Sequence, residues 1–293
     1  MYRENPEVFW LVLILSIVTN FHGILYFISF FRASNVSPGR IPDEPPWNVI
    51  SDNEDMMKLS ESKRGGGVRF CRWCRLIKPD RAHHCRMCDS CTLKMDHHCP
   101  WLDNCIGFGN LKFFLLTLYY GTISVLLMSA SSGWLGYYVT NHTDLMGIEI
   151  SRLVLGIIVA TVCGLMGLVL IIFFGTHISM VLQGVTTIEV FEKRGFGMGA
   201  RDEGCLRTIC CPSKDPVTGK PIHGGSIYRL PTMMGNMKAA LGDDVWMWWV
   251  PTIPKRSGTG SSDGLYFQTT QDMDREAVEM SDDSPLMSQR VES

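Results

Sequence analysis

The residues of this 293-residue chain that are best suited to chemistry are cysteines, because seven of its eleven cysteines lie between positions 71 and 105. Within that segment the pattern Cys-x2-Cys-x9-His-x6-Cys occurs twice, and the second copy starts fourteen residues after the first. Four Cys and His side chains at these spacings form a closed tetrahedral zinc site. The sequence therefore predicts two structural zinc ions. The expected ligands of the first ion are Cys71, Cys74, His84 and Cys91, and those of the second are Cys85, Cys88, His98 and Cys105.

Cys99 is the cysteine of this segment that the two sets leave over. The fourteen-residue repeat carries the second Cys-x2-Cys pair onto Cys99 and Leu102, so a third set lacks its second cysteine. Asp96 and His97 precede it and belong to neither set. An imidazole can deprotonate a thiol, and a carboxylate can orient that imidazole. These residues predict a nucleophilic cysteine; the alternative is that Cys99 is a spare zinc ligand and His97 a surface residue.

Three uncharged apolar stretches must position the cysteine cluster, over residues 8–31, 113–139 and 153–182. A helix needs about 20 residues to cross a hydrocarbon core of ~30 Å, so each stretch is long enough to span a membrane. The predicted fold class is an α-helical polytopic membrane protein with three transmembrane helices and a cytosolic, zinc-stabilised cysteine-rich domain. The net charge of −2 provides no overall attraction to nucleic acid.

The loops between these stretches differ in charge. Lys and Arg side chains concentrate between the first and second stretches, which indicates that this part faces the cytosol. Reducing conditions there favour metal binding or thiol chemistry over disulfides. We expect zinc to supply the folding energy of a turn-rich domain that has no apolar core of its own. The predicted organisation is a lumenal N-terminus (1–7), a cytosolic linker (32–68), the zinc domain (69–112), a lumenal loop (140–152), a cytosolic C-terminal region (183–255) and a disordered tail (256–293).

The position of Cys99 suggests its substrate. Only about a dozen residues separate it from the second stretch, which predicts a thiol at the cytosolic membrane surface. A long-chain acyl-CoA suits that place, and a ping-pong exchange would carry its acyl group through Cys99 to a protein cysteine. One rival hypothesis is a non-enzymatic zinc adaptor, for which Cys99 is dispensable. A thiol oxidoreductase is disfavoured because both Cys-x2-Cys pairs are committed to zinc.

The DHHC motif at residues 96–99, within the zinc ligands, resembles the cysteine-rich domain of the DHHC family of protein S-palmitoyltransferases. The likeness includes residues 78–85 and 99–107. It implies that both zinc ions are structural, that Cys99 is autoacylated from palmitoyl-CoA and that His97 is the base. It further implies a lipid bilayer and cysteine-bearing cytosolic or membrane proteins as partners. The implied location is the Golgi or endoplasmic reticulum, with the plasma membrane as the alternative.

Two patterns extend the resemblance toward the C-terminus. Thr186, Thr187 and Glu189 match the family's TTxE motif, which packs against the catalytic segment. Residues 236–251 resemble its C-terminal motif, in which Asn236 would be buried and tryptophans would face the membrane. The alternative for this second stretch is an ordinary packed surface helix.

The acyl cavity of the family provides a last set of expectations. The positions that line it correspond to Trp101, Phe114 and Ser124. For Phe114 the alternative is an apolar helix residue that faces lipid or its neighbours. The family usually has four spans and this chain has three, so either the first span is absent or the start of the chain is truncated.

Overall fold

The computed structural model of the protein describes residues 6–49, 68–142, 148–193, 228–256 and 263–267. Within these residues the chain forms five α-helices and three two-stranded antiparallel sheets. The helices are α1 (Pro6–Asn35), α2 (Leu111–His142), α3 (Ile148–Leu182), α4 (Thr187–Lys193) and α5 (Met233–Leu241). The strands are β1 (Phe70–Cys71), β2 (Leu76–Ile77), β3 (His83–Cys85), β4 (Ser90–Thr92), β5 (His97–Cys99) and β6 (Asn104–Ile106).

Three of these helices, α1, α2 and α3, are long and apolar enough to cross a membrane. The prediction of three transmembrane helices is therefore confirmed. The helices are longer than the uncharged stretches: α1 continues to Asn35, and α3 begins at Ile148, within the predicted lumenal loop. The apolar side chains of α1 and α3 are largely exposed, as expected for helices whose solvent is lipid, whereas those at the start of α2 are buried.

The helices belong to one of two compact units, formed by the described parts of residues 1–36, 110–178 and 246–253. Small residues bring its helices close together. The Ser129 hydroxyl of α2 donates a hydrogen bond to Ala160 O of α3 at 2.7 Å. A Cβ atom at Gly167 would lie 2.6 Å from Leu126 Cδ2. Close backbone approach through small residues is typical of helix packing in membranes.

The aromatic segment Trp246–Ile253 also belongs to the helical unit. The buried ammonium of Lys112 donates to Met247 O at 2.8 Å and to Thr252 Oγ1 at 3.4 Å. The Tyr120 hydroxyl donates to Trp249 O. Residues of α2 therefore hold this segment through its backbone, which leaves the Trp246 side chain exposed.

The second unit contains the described parts of residues 37–109, 179–245 and 254–293. Its centre is three consecutive hairpins, β1–β2, β3–β4 and β5–β6. His84 lies opposite Cys91 in the second hairpin, and His98 lies opposite Cys105 in the third. Each expected zinc ligand set therefore takes a Cys-x2-Cys turn from one hairpin and a His–Cys pair from the next. The interleaved spacing follows from this arrangement.

An apolar cluster lies beside the first hairpins, contrary to the expectation that the domain has no core of its own. Its largest buried members are Ile41, Trp47, Ile77, Leu93 and Phe108. Two of them come from residues 32–68, which we predicted to be a linker. That prediction is wrong for residues 37–49, whose backbone bonds to the zinc domain at Gly39 and Trp47. Residues 50–67 lie outside the described part.

The predicted disordered tail also contributes to this unit. Leu265 and Phe267 pack against the apolar cluster, and the ring of Tyr266 lies 5.8 Å from that of Trp47. The prediction of disorder is therefore wrong for residues 263–267. A short apolar group in a polar stretch gives little indication of burial in the sequence, because the surface against which it packs is formed by distant residues. The remainder of the tail after residue 267 lies outside the described residues.

Candidate active site and metal centres

Two groups of cysteine and histidine side chains lie at metal-binding separations, and they are the two sets predicted from the spacing. Within each group the four ligand atoms lie within 4.8 Å of one another. His84 Nδ1 is 3.4–3.9 Å from the three sulfurs of its group. His98 Nδ1 is 3.4–3.8 Å from the sulfurs of the other. Zinc bonds of ~2.3 Å to sulfur and ~2.0 Å to nitrogen separate tetrahedral ligand atoms by about 3.5–3.8 Å, so both groups are suited to zinc.

The Cys-x2-Cys turns have a geometry that favours thiolates. The Cys74 N–H donates to Cys71 Sγ at 3.5 Å, and the Cys88 N–H donates to Cys85 Sγ at the same distance. Amide donors stabilise negative charge on an acceptor atom. The ring of Trp73 also stacks on that of His84, with centroids 4.9 Å apart. The first metal group therefore has an aromatic cover over its histidine.

The third hairpin repeats the turn without a complete ligand set. Asp103 has a positive φ of 47°, as Asp89 does in the second hairpin at 46°. The Leu102 N–H donates to Cys99 O at 3.2 Å, and the backbone N–H groups of Leu102 and Trp101 lower the pKa of the Cys99 thiol. Leu102 is 6% exposed and occupies the position of the second cysteine. The Cys99 sulfur thus lies in a turn of the metal-binding type, outside both metal groups.

Asp96 and His97 are hydrogen-bonded, with His97 Nδ1 2.7 Å from Asp96 Oδ2. Thr187 fixes the carboxylate from its other side, donating its N–H to Oδ1 at 2.7 Å and its hydroxyl to Oδ2 at 2.8 Å. Asp96 is only 6% exposed. Because the carboxylate binds Nδ1, the ring nitrogen left to face a thiol is Nε2. The structure therefore brings Thr187 of the TTxE match against the DHHC motif.

The electrostatics of the site favour a charged His97 and Cys99 pair. Burial disfavours the imidazolium, but hydrogen bonds with Asp96 and Cys99 outweigh it and raise the pKa of His97 to about 9. Burial likewise disfavours the thiolate. The hydrogen bond from His97 and the backbone N–H groups of Leu102 and Trp101 nevertheless lower the pKa of Cys99 below its ordinary value. A thiolate beside an imidazolium is the nucleophilic form of a cysteine.

Arg81 is the residue near this site that the sequence did not identify. Its guanidinium binds the carboxylate of Glu189, with Nε 2.6 Å from Oε1 and Nη2 3.0 Å from Oε2. Arg81 lies in a stretch that resembles the family. No spacing rule connects it to a residue 108 positions later, so the pairing was not predictable from this sequence.

The residues expected to line an acyl cavity occupy different surroundings. Trp101 is 87% exposed. Phe114 is buried in the helical unit, with its ring 4.9 Å from that of His177, so it faces neighbouring helices. The Ser124 hydroxyl is buried in α2 without a hydrogen-bond partner among the described residues. A cavity that these three residues share stays a prediction.

Asn236 is buried in α5, where its side chain connects the end of α3 to the stretch that leads into α5. Its amide donates to Leu182 O at 3.1 Å and to Thr232 O at 3.2 Å, and its Oδ1 accepts the Leu230 N–H at 3.1 Å. A buried amide satisfied in this way fixes the chain around it. The alternative of an ordinary surface helix is therefore not supported at Asn236.

Comparison with known proteins gives one family. The family model for DHHC palmitoyltransferases matches residues 66–194. The chain is 33% identical over 233 residues to "Probable protein S-acyltransferase 16" of Arabidopsis thaliana, an alignment that covers 78% of this chain and 71% of that protein.

Two fungal proteins are also similar. The chain is 28% identical over 280 residues to "Palmitoyltransferase PFA3" of Yarrowia lipolytica, which covers 88% of this chain and 67% of the relative. It is 37% identical over 175 residues to "Palmitoyltransferase pfa3" of Neurospora crassa, which covers 58% of this chain but only 28% of the relative. The chain therefore spans a small part of the longest of these three relatives.

Proposed function

The chain belongs to the DHHC palmitoyltransferase family, and from this premise we propose that it moves a long-chain acyl group from acyl-CoA, through Cys99, to cysteines of protein substrates. The observation that carries the proposal is the continuous contact from Thr187 through Asp96 to His97, with the Cys99 thiol as the next group. The proposed acyl donor is palmitoyl-CoA, and the proposed partners are the bilayer and cytosolic or membrane proteins that bear cysteines.

In the first half-reaction, His97 Nε2 takes the proton of the Cys99 thiol while Asp96 stabilises the imidazolium. The thiolate attacks the thioester carbonyl of the acyl-CoA. The bond from that carbonyl to the CoA sulfur then breaks, and the imidazolium returns its proton to the CoA thiolate. The product is an acyl-Cys99 thioester and free CoA.

In the second half-reaction, the same imidazole takes the proton from a cysteine of the protein substrate. That thiolate attacks the acyl-Cys99 carbonyl, the bond to Cys99 breaks, and Cys99 regains its proton. Because one thioester is exchanged for another, the reaction is nearly balanced in free energy. The protein therefore has to position the groups, deprotonate the thiols and exclude water.

The two metal groups have a structural role in this mechanism. Cys71, Cys74, His84 and Cys91 would hold one zinc ion, and Cys85, Cys88, His98 and Cys105 the other. A closed four-ligand zinc site leaves no open position for a substrate and supplies folding energy. His98 and Cys105 lie in the hairpin that carries Cys99, so the second site would fix the strands on which the nucleophile lies.

The proposed location follows from the resemblance and from the chain. Three membrane helices make this an integral membrane protein. The Lys and Arg residues between the first two helices support a catalytic domain in the cytosol. The family resemblance favours the Golgi or endoplasmic reticulum, which imaging of the tagged full chain against compartment markers would test.

Incorporation of a labelled palmitate analogue into the purified full chain tests the function. We expect label on Cys99 that hydroxylamine releases, and no label at that position in Cys99→Ser, with two zinc ions per chain in both proteins. Cys163→Ser is the matched control, because Cys163 lies in α3 and belongs to neither metal group. The labelled site must be mapped, since the chain also contains Cys205, Cys210 and Cys211 as candidate acceptors of label. A chain with full zinc and an unlabelled Cys99 would contradict the proposal and favour a zinc adaptor.

A further inference from the structure

Arg81 is a buried arginine that one carboxylate neutralises. It is 5% exposed, and both Glu189 oxygens accept hydrogen bonds from its guanidinium. Its Nη2 also donates to Gly184 O at 2.9 Å. A bidentate pair of this kind fixes geometry as well as charge. Arg81 therefore anchors the backbone that leads from Gly184 into α4.

Two aromatic rings from distant parts of the sequence cover the same guanidinium. The Arg81 guanidinium carbon lies 4.9 Å from the ring centroid of Tyr228 and 5.2 Å from that of Phe267. A planar guanidinium packs on aromatic faces and forks onto a carboxylate, whereas a lysine ammonium presents a compact point charge. The environment is therefore specific for arginine and not only for a positive charge.

Phe267 contacts Arg81 because residues 264–267 pack closely against the apolar cluster of the domain. Gly264 has a positive φ of 80°, and a Cβ atom there would lie 2.7 Å from Phe108 Cγ. Leu265 packs against the same apolar cluster. A side chain at position 264 would displace the segment, so the position of Phe267 depends on this glycine.

Glu189 connects Arg81 to the first turn of α4. Its Oε2 accepts the Thr186 N–H at 3.0 Å, and Thr186 Oγ1 accepts the Glu189 N–H at 3.3 Å. This reciprocal pair is a capping box, which fixes where the helix starts and in which direction. The next residue is Thr187, whose N–H and hydroxyl both donate to Asp96. The contacts from Arg81 to Asp96 are thus continuous.

We propose that Arg81, held by Phe267 of the C-terminal segment, is a positioning residue for acyl transfer that acts through Glu189 and Thr187 on the Asp96 carboxylate. The inference rests on the proposed function, in which Asp96 orients His97. It assigns the C-terminal segment a part in catalysis through the contact of Phe267 with Arg81.

The test is a double-mutant cycle on the full chain, with Arg81→Lys, Thr187→Val and the combined variant. The readout is the rate of Cys99 acylation across palmitoyl-CoA concentrations, with zinc content measured in parallel. We expect each single variant to lower the saturating rate by about 10- to 100-fold, the range that a small misplacement of catalytic groups costs. The half-saturating concentration and the two zinc ions should be unchanged. Because both residues act along one path, the double variant should be no slower than the slower single variant.

Arg69→Lys is the matched control for Arg81→Lys. Arg69 also bonds this turn, donating to Pro79 O at 3.3 Å and Ala82 O at 3.0 Å, but without contact to Glu189. Its saturating rate should stay near that of wild type. An unaffected rate in Arg81→Lys, or rate losses that multiply in the double variant, would overturn the inference while leaving the proposed function standing. An unlabelled Cys99 in the wild-type chain would overturn the proposed function and the inference together.

Phe267→Ala provides a milder second variant if Arg81→Lys does not fold. Its control is Tyr266→Ala in the same segment, because the Tyr266 ring contacts Trp47. Loss of one cation–π contact of ~1 kcal/mol should lower the saturating rate by about fivefold in Phe267→Ala, with Tyr266→Ala unaffected. Equal rates in the two variants would show that Phe267 takes no part in positioning.

Discussion

The second and third hairpins, whose turns start at Cys85 and Cys99, follow the same backbone path. Cys85 pairs with Ser90 in the register of the second hairpin, and Cys99 pairs with Asn104 in that of the third. A residue with positive φ completes each turn, at 46° and 47°. Backbone N–H groups of each turn favour the thiolate of its first cysteine. A turn that can bind zinc and a turn that presents a free thiol therefore have the same backbone design.

The difference lies in what surrounds the two turns. The Cys85 turn has a second cysteine and is followed by another hairpin, which brings His98 and Cys105 to the same group. The Cys99 turn has Leu102 in place of that cysteine and is followed by α2. A Cys-x2-Cys turn forms a four-ligand site only with a second pair, so the last turn of the series leaves its sulfur free.

His83 and His97, the histidines two residues before each turn, differ in their pKa values. Burial and the charges of Arg69 and Lys78 lower the pKa of His83 to about 4. His97 occupies the equivalent position in the third hairpin, where Asp96 stands in place of the buried Ala82. The pKa of His97 is raised to about 9. Asp96 and Cys99 together thus reverse the charge preference of the imidazole. The chemistry of the third hairpin comes from few substitutions on a repeated backbone.

Removal of a metal ligand should have the largest effect, because it destroys the shared backbone. Cys88→Ser should reduce the zinc content from two ions to one per chain. Structural zinc supplies ~10–16 kcal/mol in small domains, which is comparable to the whole stability of a typical domain, so we expect the third hairpin, which holds His98 and Cys105, to unfold. Acylation of Cys99 should then be lost. Zinc analysis together with limited proteolysis of the full chain measures both consequences.

Cys99→Ser separates the fold from the chemistry in this comparison, since it should retain both zinc ions and protease resistance. Acylation that persists in Cys88→Ser with one zinc ion would contradict the structural role of the second metal group. Full zinc content in that variant would contradict its assignment as a ligand set.

A second cysteine in the third turn should convert it toward the second. Leu102→Cys places two sulfurs in one turn, with His97 as the available third ligand. Under reducing conditions we expect added zinc to bind there and to lower the rate of Cys99 acylation by about tenfold, the effect of ~1.4 kcal/mol of competing binding. A mild chelator should restore the rate without removing the two structural ions. Zinc titration of the acylation rate is the measurement.

Leu102→Ser is the control for this conversion. It makes the same loss of buried apolar volume but adds no thiolate, so its rate should be independent of added zinc. A zinc-independent rate in Leu102→Cys would show that absence of the second cysteine is not what keeps Cys99 free of metal.

The sequence predicted the metal groups and the membrane helices because their signals are local. A ligand set repeats at fixed spacings within 35 residues, and an uncharged run of more than 20 residues identifies a span by itself. Proximity of Asp96 and His97 to Cys99 follows from adjacency in the chain. Their orientation depends on Thr187, which the sequence connected to them only through the family resemblance.

The parts that were missed depend on contacts between distant segments. Trp47 and Phe267 lie in short apolar groups within polar stretches, and their packing requires a surface that other residues build. The Arg81 pair with Glu189 is likewise a tertiary contact without a spacing rule. Residues 37–49 of the predicted linker and 263–267 of the predicted tail proved to be part of the domain. Composition did not indicate this, because it averages over such short apolar anchors.

The smallest expected effect concerns the third residue of each turn, where the fourteen-residue repeat places Trp73, Met87 and Trp101. Met87 is 77% exposed and Trp101 is 87% exposed, so burial does not distinguish the two. If Trp101 contacts the acyl chain, as the family resemblance implies, Trp101→Ala should raise the half-saturating concentration of palmitoyl-CoA by about fivefold, or ~1 kcal/mol. Met87→Ala should change stability by no more than about 0.5 kcal/mol and leave that concentration unchanged, as is usual at exposed positions. Acylation rates measured over a range of palmitoyl-CoA concentrations decide between them. Equal shifts in both variants would mean that any exposed apolar residue at a hairpin tip has this effect, and that the third turn differs from the second only in its thiol and its imidazole.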